Sequence, residues 1–116
     1  MSKRILWVNP VGTPDYDQPI ADLLASIKSP DTTLEVVSLG LAGPVAHVEY
    51  RAYEVMAYPE IVKLAHKAGR DGVDAMVIGC FYDTALAEAR EVSGDMVVTA
   101  PCIAGVQTVE PLADRF

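Results

Sequence analysis

The sequence predicts an α/β fold built on a doubly wound, parallel sheet of four strands. Three observations support this prediction. Short apolar runs of strand character alternate along the chain with segments whose apolar residues recur at helical spacing. The connections between them are short enough for right-handed crossovers, which place successive strands parallel in one sheet. At 116 residues the chain has the size of one small domain.

Four apolar runs are expected to be buried parallel strands. The first, at 4–8, is partly β-branched and ends at Asn9 and Pro10, which favour a loop. The others lie at 32–39, 75–79 and 96–100. Because nearly continuous apolar runs are typical of strands that are covered on both faces, they favour a sheet with helices on either side.

Two amphipathic helices are indicated by apolar residues at i, i+3, i+4 and i+7. In the first, Pro19 suits the first turn and either Asp17 or Gln18 suits the cap. The second is expected to begin at Pro59 and to end at the glycines that follow it. The apolar stripes are Ile20, Leu23, Leu24 and Ile27 in the first helix and Ile61, Leu64, Ala65 and Ala68 in the second.

Two further helices are expected after the third and fourth strands. Residues 84–92 form a short helix that Asp83 can cap. The last helical segment runs on from Cys102, and Pro111 within it is expected to kink or restart the helix, because proline cannot donate a backbone hydrogen bond.

Composition and charge narrow the class of protein. Apolar residues make up 51% of the chain, but no apolar run reaches the roughly 20 residues of a membrane span. The apolar run near the start is also too short for a signal peptide, so a cytoplasmic protein is expected. The net charge is −7 and the 9 basic residues are scattered, which argues against a nucleic-acid or membrane partner.

Cys80 is the strongest candidate for chemistry. Ligands of open parallel sheets collect at the carboxyl ends of the strands. Four segments are expected at that edge, namely 9–13, 40–44, 79–84 and 100–104. Cys80 follows a buried strand and precedes a helix whose first N–H groups would face it, a setting that favours a thiolate. The alternative is a half-buried structural cysteine, which the usual burial of cysteine favours. Cys102 follows the fourth strand in a similar setting, but for this residue a structural role is favoured more strongly than for Cys80.

Other polar residues give weaker signals. Asn9 could donate an amide N–H to a substrate, or it could hold its own turn. Glu49 and Tyr53 lie four residues apart and could share a helical face, for which solvent exposure is the simpler interpretation. His47 and His66 have no partner at metal-ligand spacing, so no metal is expected. The sequence contains no GxGxxG or Walker-type loop, which argues against a nucleotide cofactor.

Four stretches of the sequence together resemble a known enzyme family. Residues 5–13 (ILWVNPVGT), which end at Thr13, are similar to that family's opening strand and its Asn-Pro-Asn-Thr turn. Residues 43–50 (GPVAHVEY), which contain Glu49, and the Tyr53-Glu54 pair after them resemble its Gly-Pro-x-x-Ile-Glu segment and following Tyr-Asp-Glu. Residues 72–83 (GVDAMVIGCFYD) resemble the strand with its first catalytic cysteine, and Gly-Cys-Phe-x-Asp is the most specific piece. Residues 86–91 (LAEARE) continue this similarity. The family is the Asp/Glu/hydantoin racemase superfamily, and the resemblance is closest to its hydantoin and allantoin racemase branch.

The resemblance implies one lobe of a two-lobed, cofactor-independent enzyme in which each lobe supplies one cysteine. The substrate's stereocentre would lie between the two thiols. Cys80 would be the first catalytic cysteine and Asn9 a substrate-binding residue. The backbone N–H groups near Phe81 and Tyr82 would hold a carboxylate or a ring carbonyl. Cys102 does not match the family's second catalytic cysteine and is kept only as a possible site residue, together with Thr13, Glu49 and Tyr53.

Two departures from the family pattern bear on this interpretation. The turn after the first strand is Asn-Pro-Val-Gly-Thr here, which removes one polar contact to a substrate. The second departure is that the family's second lobe, with its own cysteine motif, is expected to be missing. By the resemblance, residues 1–100 would form the N-terminal racemase-like α/β lobe and residues 101–116 the start of a second, truncated lobe.

The expected function is that of a racemase or epimerase of a small-molecule substrate at a carbon alpha to a carbonyl. The resemblance implies a 5-substituted hydantoin, allantoin or an aspartate- or glutamate-like substrate, two-base proton transfer by cysteines, and neither cofactor nor metal. One alternative is an arylmalonate-type decarboxylase, in which a single cysteine protonates an enediolate. Another is a non-catalytic lobe that self-associates. The surface that would contact a second lobe is expected to be apolar and exposed. Because such surfaces favour self-association, a homo-oligomer is expected.

Overall fold

The computed structural model describes residues 1–40 and 46–115, in which strands and helices alternate. The strands are β1 (Lys3–Asn9), β2 (Thr32–Ser38), β3 (Ala75–Ile78) and β4 (Val97–Thr99). The helices are α1 (Asp17–Ala25), α2 (Arg51–Arg70), α3 (Leu86–Val92) and α4 (Pro101–Val109), with a 3-10 turn at Glu110–Leu112 after the last. No helix within these ranges is long and apolar enough to span a bilayer.

The four strands form one parallel sheet in the order β2-β1-β3-β4. Val8 of the inner strand β1 lies opposite Val37 on β2 and Ile78 on β3. The crossover through α1 leads outward from β1 to β2, and the crossover through α2 leads back past β1 to β3. Because such crossovers are right-handed, α1 and α2 lie on opposite faces. The predicted doubly wound parallel sheet is therefore confirmed, and its winding direction changes between β1 and β3.

One face of the sheet carries the apolar core. The strand residues in this core are Leu6, Val8, Met76, Ile78 and Val98. The helix residues are Ala57, Ile61, Ala65 and Ala68 of α2 and Leu86 and Ala89 of α3. Small side chains let α2 and α3 pack closely, and a Cβ added to Gly69 would lie 2.3 Å from the carbonyl oxygen of Ser93. Only glycine therefore allows this approach of the two chain segments.

Helix α2 begins earlier than the sequence suggests. The predicted start at Pro59 is wrong, because the helix begins at Arg51 and contains Pro59 in its interior. A proline inside a helix cannot donate to the carbonyl four residues earlier, which here belongs to Val55. Pro59 and Val55 are both exposed, so water can reach the carbonyl that lacks a donor. The proline is tolerated because it lies on the solvent side of the helix.

The start of α1 differs by one residue from the prediction. Pro19 lies in the first turn, as expected, but Tyr16 occupies the N-cap position instead of Asp17 or Gln18. The side chain of Asp17 bonds to a residue at the end of β1 instead. This helix end is therefore fixed by a tertiary contact rather than by a local cap.

The predicted apolar stripe of α1 is only partly covered. The helix ends at Ala25, so Ile27 lies beyond it. Leu23 is 59% exposed and Ile27 is 73% exposed, and no residue of the helix is buried. The helix packs against the edge strand β2, and Ile20 and Leu24 are the half-buried residues of the predicted stripe.

The carboxylate of Asp83 caps a different helix from the one predicted. Helix α3 begins at Leu86, and its N-cap position is Ala85, with no side-chain cap. Asp83 instead accepts the backbone N–H groups of Cys102 and Ile103, at 3.0 and 2.9 Å, at the start of α4. The expectation that Asp83 caps the helix directly after it is thus wrong.

Helix α4 needs this external cap because its own start is poor in acceptors. Its N-cap residue is Ala100, and its first residue, Pro101, has no N–H. A carboxylate also interacts favourably with the positive end of the helix dipole. The two hydrogen bonds join α4 to the loop after β3.

Pro111, where a kink or restart is predicted, lies in the 3-10 turn after α4.

Asp74 joins the start of β3 to the start of β1. Its carboxylate accepts the backbone N–H of Arg4 at 2.8 Å and the ammonium group of Lys3 at 3.3 Å. Its own N–H donates to the carbonyl of Arg4 at 3.0 Å. The hydrogen bond from the Arg4 N–H, with a further contribution from Lys3, holds the pKa of Asp74 below its usual value.

Replacing Asp83 by alanine is expected to lower the free energy of unfolding by about 1–2 kcal/mol, because two N–H groups of α4 lose their acceptor. Alanine is also disfavoured at the left-handed φ of +50° found at this position. Urea unfolding followed by circular dichroism measures the loss. Asp83→Asn is the matched control, since it keeps an acceptor oxygen and tolerates the backbone conformation, and it should lose clearly less. Equal losses in both variants would contradict the capping role.

Replacing Asp74 by asparagine should destabilise the protein more at neutral pH than in acid. The folded-state pKa of Asp74 lies below its unfolded value, so its contribution is fully present above about pH 4 and is lost as the pH falls through the folded pKa. Urea unfolding at about pH 7 and about pH 3 should therefore show a difference in stability between wild type and variant that narrows in acid. Asp95→Asn, at an exposed turn, controls for the change in net charge. A gap of constant size across this range would exclude the assignment.

Candidate functional site

An open cavity of about 250 Å³ lies at the carboxyl ends of β1 and β3. Its lining residues are Asn9, Pro10, Val11, Tyr16, Ile20, Val48, Gly79 and Cys80. This is the place where the winding direction of the sheet changes, and open α/β sheets bind ligands at such switch points. Another depression, of about 340 Å³, lies around His66 and Asp95, away from this edge. The position of the smaller cavity, rather than its size, makes it the candidate site.

The two strands beside the cavity end in similar turns. After β1 the N–H of Val11 donates to the carbonyl of Asn9 at 2.8 Å, and after β3 the N–H of Cys80 donates to the carbonyl of Ile78 at 2.8 Å. Such three-residue turns are common at strand ends. Pro10 has no N–H and cannot continue the ladder, so the strand stops where the cavity begins. Both turns direct the chain away from the sheet and leave its edge open.

The backbone of the Cys80 loop is held from both sides. Gly79 donates its N–H to the carbonyl of Val8 at 2.8 Å, which continues the pairing of β3 with β1 by one residue. The N–H of Asp83 donates to the carbonyl of Cys80 at 3.0 Å. The carboxylate of Asp83 is in turn bound to the start of α4. Cys80 is half-buried and lines the cavity, so its backbone is held in place while the residue can still be reached from the cavity.

Asn9 lies beside Cys80 and is only 5% exposed. Its amide oxygen accepts the indole N–H of Trp7 at 2.8 Å, and its amide nitrogen donates to a carboxylate oxygen of Asp17 at 2.9 Å. The interpretation of Asn9 as a residue that holds its own turn is therefore incomplete, because its side chain bonds to β1 and α1. Within residues 1–40 and 46–115 no hydrogen bond uses the second amide N–H, which is available to a ligand.

The indole of Trp7 packs directly over Gly79. A Cβ added to Gly79 would lie 2.4 Å from Nε1 of Trp7 and within 2.7 Å of two further ring atoms. The ring is rigid, so any larger residue at this position would displace it and its hydrogen bond to Asn9. Gly79 is thus required by the close approach of an aromatic ring.

The cavity brings together only two of the predicted site residues, Asn9 and Cys80. The side chains of Phe81 and Tyr82 are 75% and 57% exposed and do not line it. The helix expected to direct its first N–H groups at Cys80 begins only at Leu86. The chain makes a turn and adopts left-handed φ values at Asp83 and Ala85 before α3, and the orientation of the helix's first N–H groups toward Cys80 stays a prediction.

The possible site residues lie outside the described lining. Thr13 is half-buried, and its hydroxyl accepts the N–H of Asp15 at 3.3 Å. Cys102 is exposed in the first turn of α4. Of the four predicted strand-end segments, 9–13 and 79–84 contribute lining residues, whereas 41–44 fall outside the described residues.

Glu49 and Tyr53 do not share a helical face. Glu49 is exposed and precedes α2, which begins at Arg51. Tyr53 belongs instead to an aromatic cluster in which its ring centroid lies 5.3 Å from those of both His47 and Tyr50. The four-residue spacing of Glu49 and Tyr53 would place them on one face only if the helix included Glu49, and α2 begins two residues after it.

Several lining residues were not identified from the sequence. Tyr16, Ile20 and Val48 reach the cavity from the loop before α1, from α1 itself and from the segment before α2. The contact of Trp7 with Asn9 could have been found, because residues two apart on a strand face the same side. The contact with Asp17 depends on how the loop after β1 returns, for which the sequence has no local signal.

Metal-ligating side chains do not gather near the cavity. Within residues 1–40 and 46–115 there is no group of three or more histidine, cysteine, aspartate or glutamate residues that could hold an ion. The polar groups of the described lining are the amide of Asn9, the hydroxyl of Tyr16 and the thiol of Cys80, along with backbone groups. This set suits hydrogen bonding and proton transfer to an organic ligand.

Comparison with protein families gives a match over nearly the whole chain. The family profile described as Asp/Glu/Hydantoin racemase matches residues 5–116. The hydantoin racemase of Pseudomonas sp. (strain NS671) is 33% identical over 113 residues, which are 97% of this chain and 44% of that protein. The hydantoin racemase of Rhizobium meliloti is 38% identical over 71 residues, or 61% of this chain and 29% of that protein.

The fold agrees with the sequence match. The solved structure of allantoin racemase from Klebsiella pneumoniae superposes with a TM-score of 0.84 at 25% identity, covering 95% of this chain and 44% of that one. The chain thus spans less than half the length of these relatives. The region matched by the family profile, residues 5–116, includes β1 from Ile5 onward, the other three strands, and Asn9 and Cys80. The chain belongs to the Asp/Glu/hydantoin racemase family.

Proposed function

We propose that the chain forms one lobe of a cofactor-independent racemase or epimerase, with Cys80 as one of two opposed acid–base groups. The observation that carries this proposal is that Cys80 and Asn9 line the same cavity, at the switch point of the sheet. The membership of the chain in a racemase family supports the class of reaction.

The proposed reaction needs both groups. A proton on a carbon alpha to a carbonyl is weakly acidic, so its removal requires a poised base and a donor that stabilises the enolate-like intermediate. The thiolate of Cys80 would take the proton and become a thiol, while the Asn9 amide donates to the carbonyl oxygen as negative charge develops there. Return of a proton to the opposite face inverts the stereocentre, and return to the same face restores the original enantiomer.

A second acid–base group must approach from the opposite face of the substrate. Cys102 is a poor candidate, because it is exposed in α4 and does not line the cavity. We therefore place the partner group on a second lobe or on a second copy of this chain. Association is supported by α4, which has no charged residue and no buried residue. Val106 and Val109 on this helix are exposed.

We further propose that the substrate is an uncharged cyclic amide, such as a 5-substituted hydantoin or allantoin, rather than aspartate or glutamate. The described lining contains no lysine, arginine or histidine to neutralise a substrate carboxylate. Behind Asn9 lies the carboxylate of Asp17, which would repel an anion. Ring carbonyls need only hydrogen-bond donors. The similarity of the chain to a hydantoin racemase and to an allantoin racemase supports the same class.

Solvent deuterium incorporation into one enantiomer of a 5-substituted hydantoin tests the proposal, with proton NMR as the readout and a buffer blank for spontaneous exchange. Wild type should catalyse exchange at the alpha carbon, and Cys80→Ser should reduce the rate by about a hundredfold or more, as is typical for loss of a general base. Cys102→Ser is the matched control and should retain the rate.

Two comparisons complete this experiment. If the second base comes from another copy of the chain, the rate per chain should rise with protein concentration. Under the same conditions L-aspartate should exchange more slowly than the hydantoin. Exchange that is equal in wild type and Cys80→Ser, or absent from wild type at every concentration, would contradict the proposed function for this chain.

A further inference from the structure

We propose that Asp17 is a positioning residue that fixes the Asn9 amide so that its free N–H is presented to the ligand cavity. The inference rests on the proposed function, in which Asn9 donates to a substrate carbonyl. The proposed role belongs to a carboxylate that is not among the described lining residues of the cavity. Asp17 is also not among the site residues that the family resemblance implies.

The two ends of the Asn9 amide are distinguished by their partners. The indole N–H of Trp7 can only donate, so the atom 2.8 Å from it must be the amide oxygen. The carboxylate of Asp17 can only accept when ionised, so the atom 2.9 Å from it must be the amide nitrogen. The reversed amide would place N–H against N–H and oxygen against oxygen. Both contacts therefore favour the same orientation.

The parts of this arrangement are held independently of each other. The ring of Trp7 is confined by Gly79, whose absent side chain leaves room for the indole. Asp17 lies in the first turn of α1, where its negative charge interacts favourably with the helix dipole. Asn9 lies between them at the end of β1 and is almost completely buried. The amide is thus fixed at both ends by elements that the fold already positions.

The consequence concerns the unused hydrogen-bonding groups of Asn9. An amide has two N–H donors and two lone pairs on oxygen, and the contacts with Asp17 and Trp7 use one of each. A buried N–H without an acceptor is unfavourable, so the remaining N–H favours a ligand that brings a carbonyl oxygen. Without Asp17, the amide would be held at its oxygen end alone, and this donor would be less well directed.

Selective ¹⁵N labelling of asparagine tests the proposal directly, because Asn9 is the single asparagine in the chain. In wild type, Asp17→Ala and Asp15→Ala its side-chain N–H pair can therefore be identified without assigning the spectrum. Asp17→Asn adds a second labelled asparagine, and there the Asn9 pair is identified as the one that disappears when Asn9→Asp is added to the same variant. The indole N–H of Trp7, the single tryptophan, is a second unique probe. We compare wild type with Asp17→Ala, with the conservative variant Asp17→Asn, and with Asp15→Ala, which removes an exposed carboxylate from the same loop.

In Asp17→Ala the Asn9 N–H signals should shift and their exchange with solvent should accelerate, while circular dichroism remains that of wild type. The dissociation constant for a 5-substituted hydantoin, followed by the same Asn9 signals, should rise about tenfold, the order expected for one lost hydrogen bond. Asp17→Asn keeps an acceptor oxygen and should restore most of both properties. Asp15→Ala should resemble wild type.

Unchanged Asn9 signals in Asp17→Ala would overturn the proposal, and so would an Asp17→Asn variant as impaired as Asp17→Ala. The failure of the proposed function gives a different result. If hydantoin shifts no signal of the wild-type protein, the proposed ligand is wrong. The ligand-free spectra of the four proteins then decide whether Asp17 orients the Asn9 amide.

Discussion

The site depends on the pairing of β1 with β3. The crossovers on the two sides of this pair lead toward opposite edges of the sheet. Because α1 and α2 lie on opposite faces of the sheet, neither covers the gap above the carboxyl ends of these two strands. The register places Val8 opposite Ile78, and the N–H of Gly79 extends this pairing by one residue. Asn9 and Cys80 follow directly, and so the fold places an amide and a thiol at one opening.

Hydrogen bonds from outside the cavity fix the groups within it. Asp17 binds the side chain of Asn9, and Asp83 binds both the backbone of Cys80 and the start of α4. Each carboxylate is therefore occupied by N–H groups of the protein. This explains how a chain with a net charge of −7 can keep acidic residues next to a cavity that lacks basic side chains among its described lining. The negative charges near the cavity would repel an anion, which is the reason for proposing an uncharged ligand.

The strands, their parallel arrangement and the prominence of Asn9 and Cys80 could be predicted because they depend on local signals, namely apolar runs and the residues that end them. The contacts of Asp17 and Asp83 could not. Local capping rules assign each to the helix that follows, whereas one bonds back to β1 and the other reaches a helix 19 residues later. Pro59 misled for a related reason, since proline is favoured at helix starts but is also tolerated on an exposed helix side. In each case the partners of the residue depend on which groups the tertiary fold places beside it, and the neighbouring sequence does not show this.

The most direct test of the central claim, that Cys80 and Asn9 form one ligand cavity, is the alkylation rate of each cysteine. Iodoacetamide labelling with peptide mapping by mass spectrometry follows Cys80 and Cys102 separately in the same sample. A 5-substituted hydantoin should slow alkylation of the half-buried Cys80 and leave that of the exposed Cys102 unchanged. Rates at both cysteines that are unaffected by the hydantoin, or slowed to the same extent, would contradict the account.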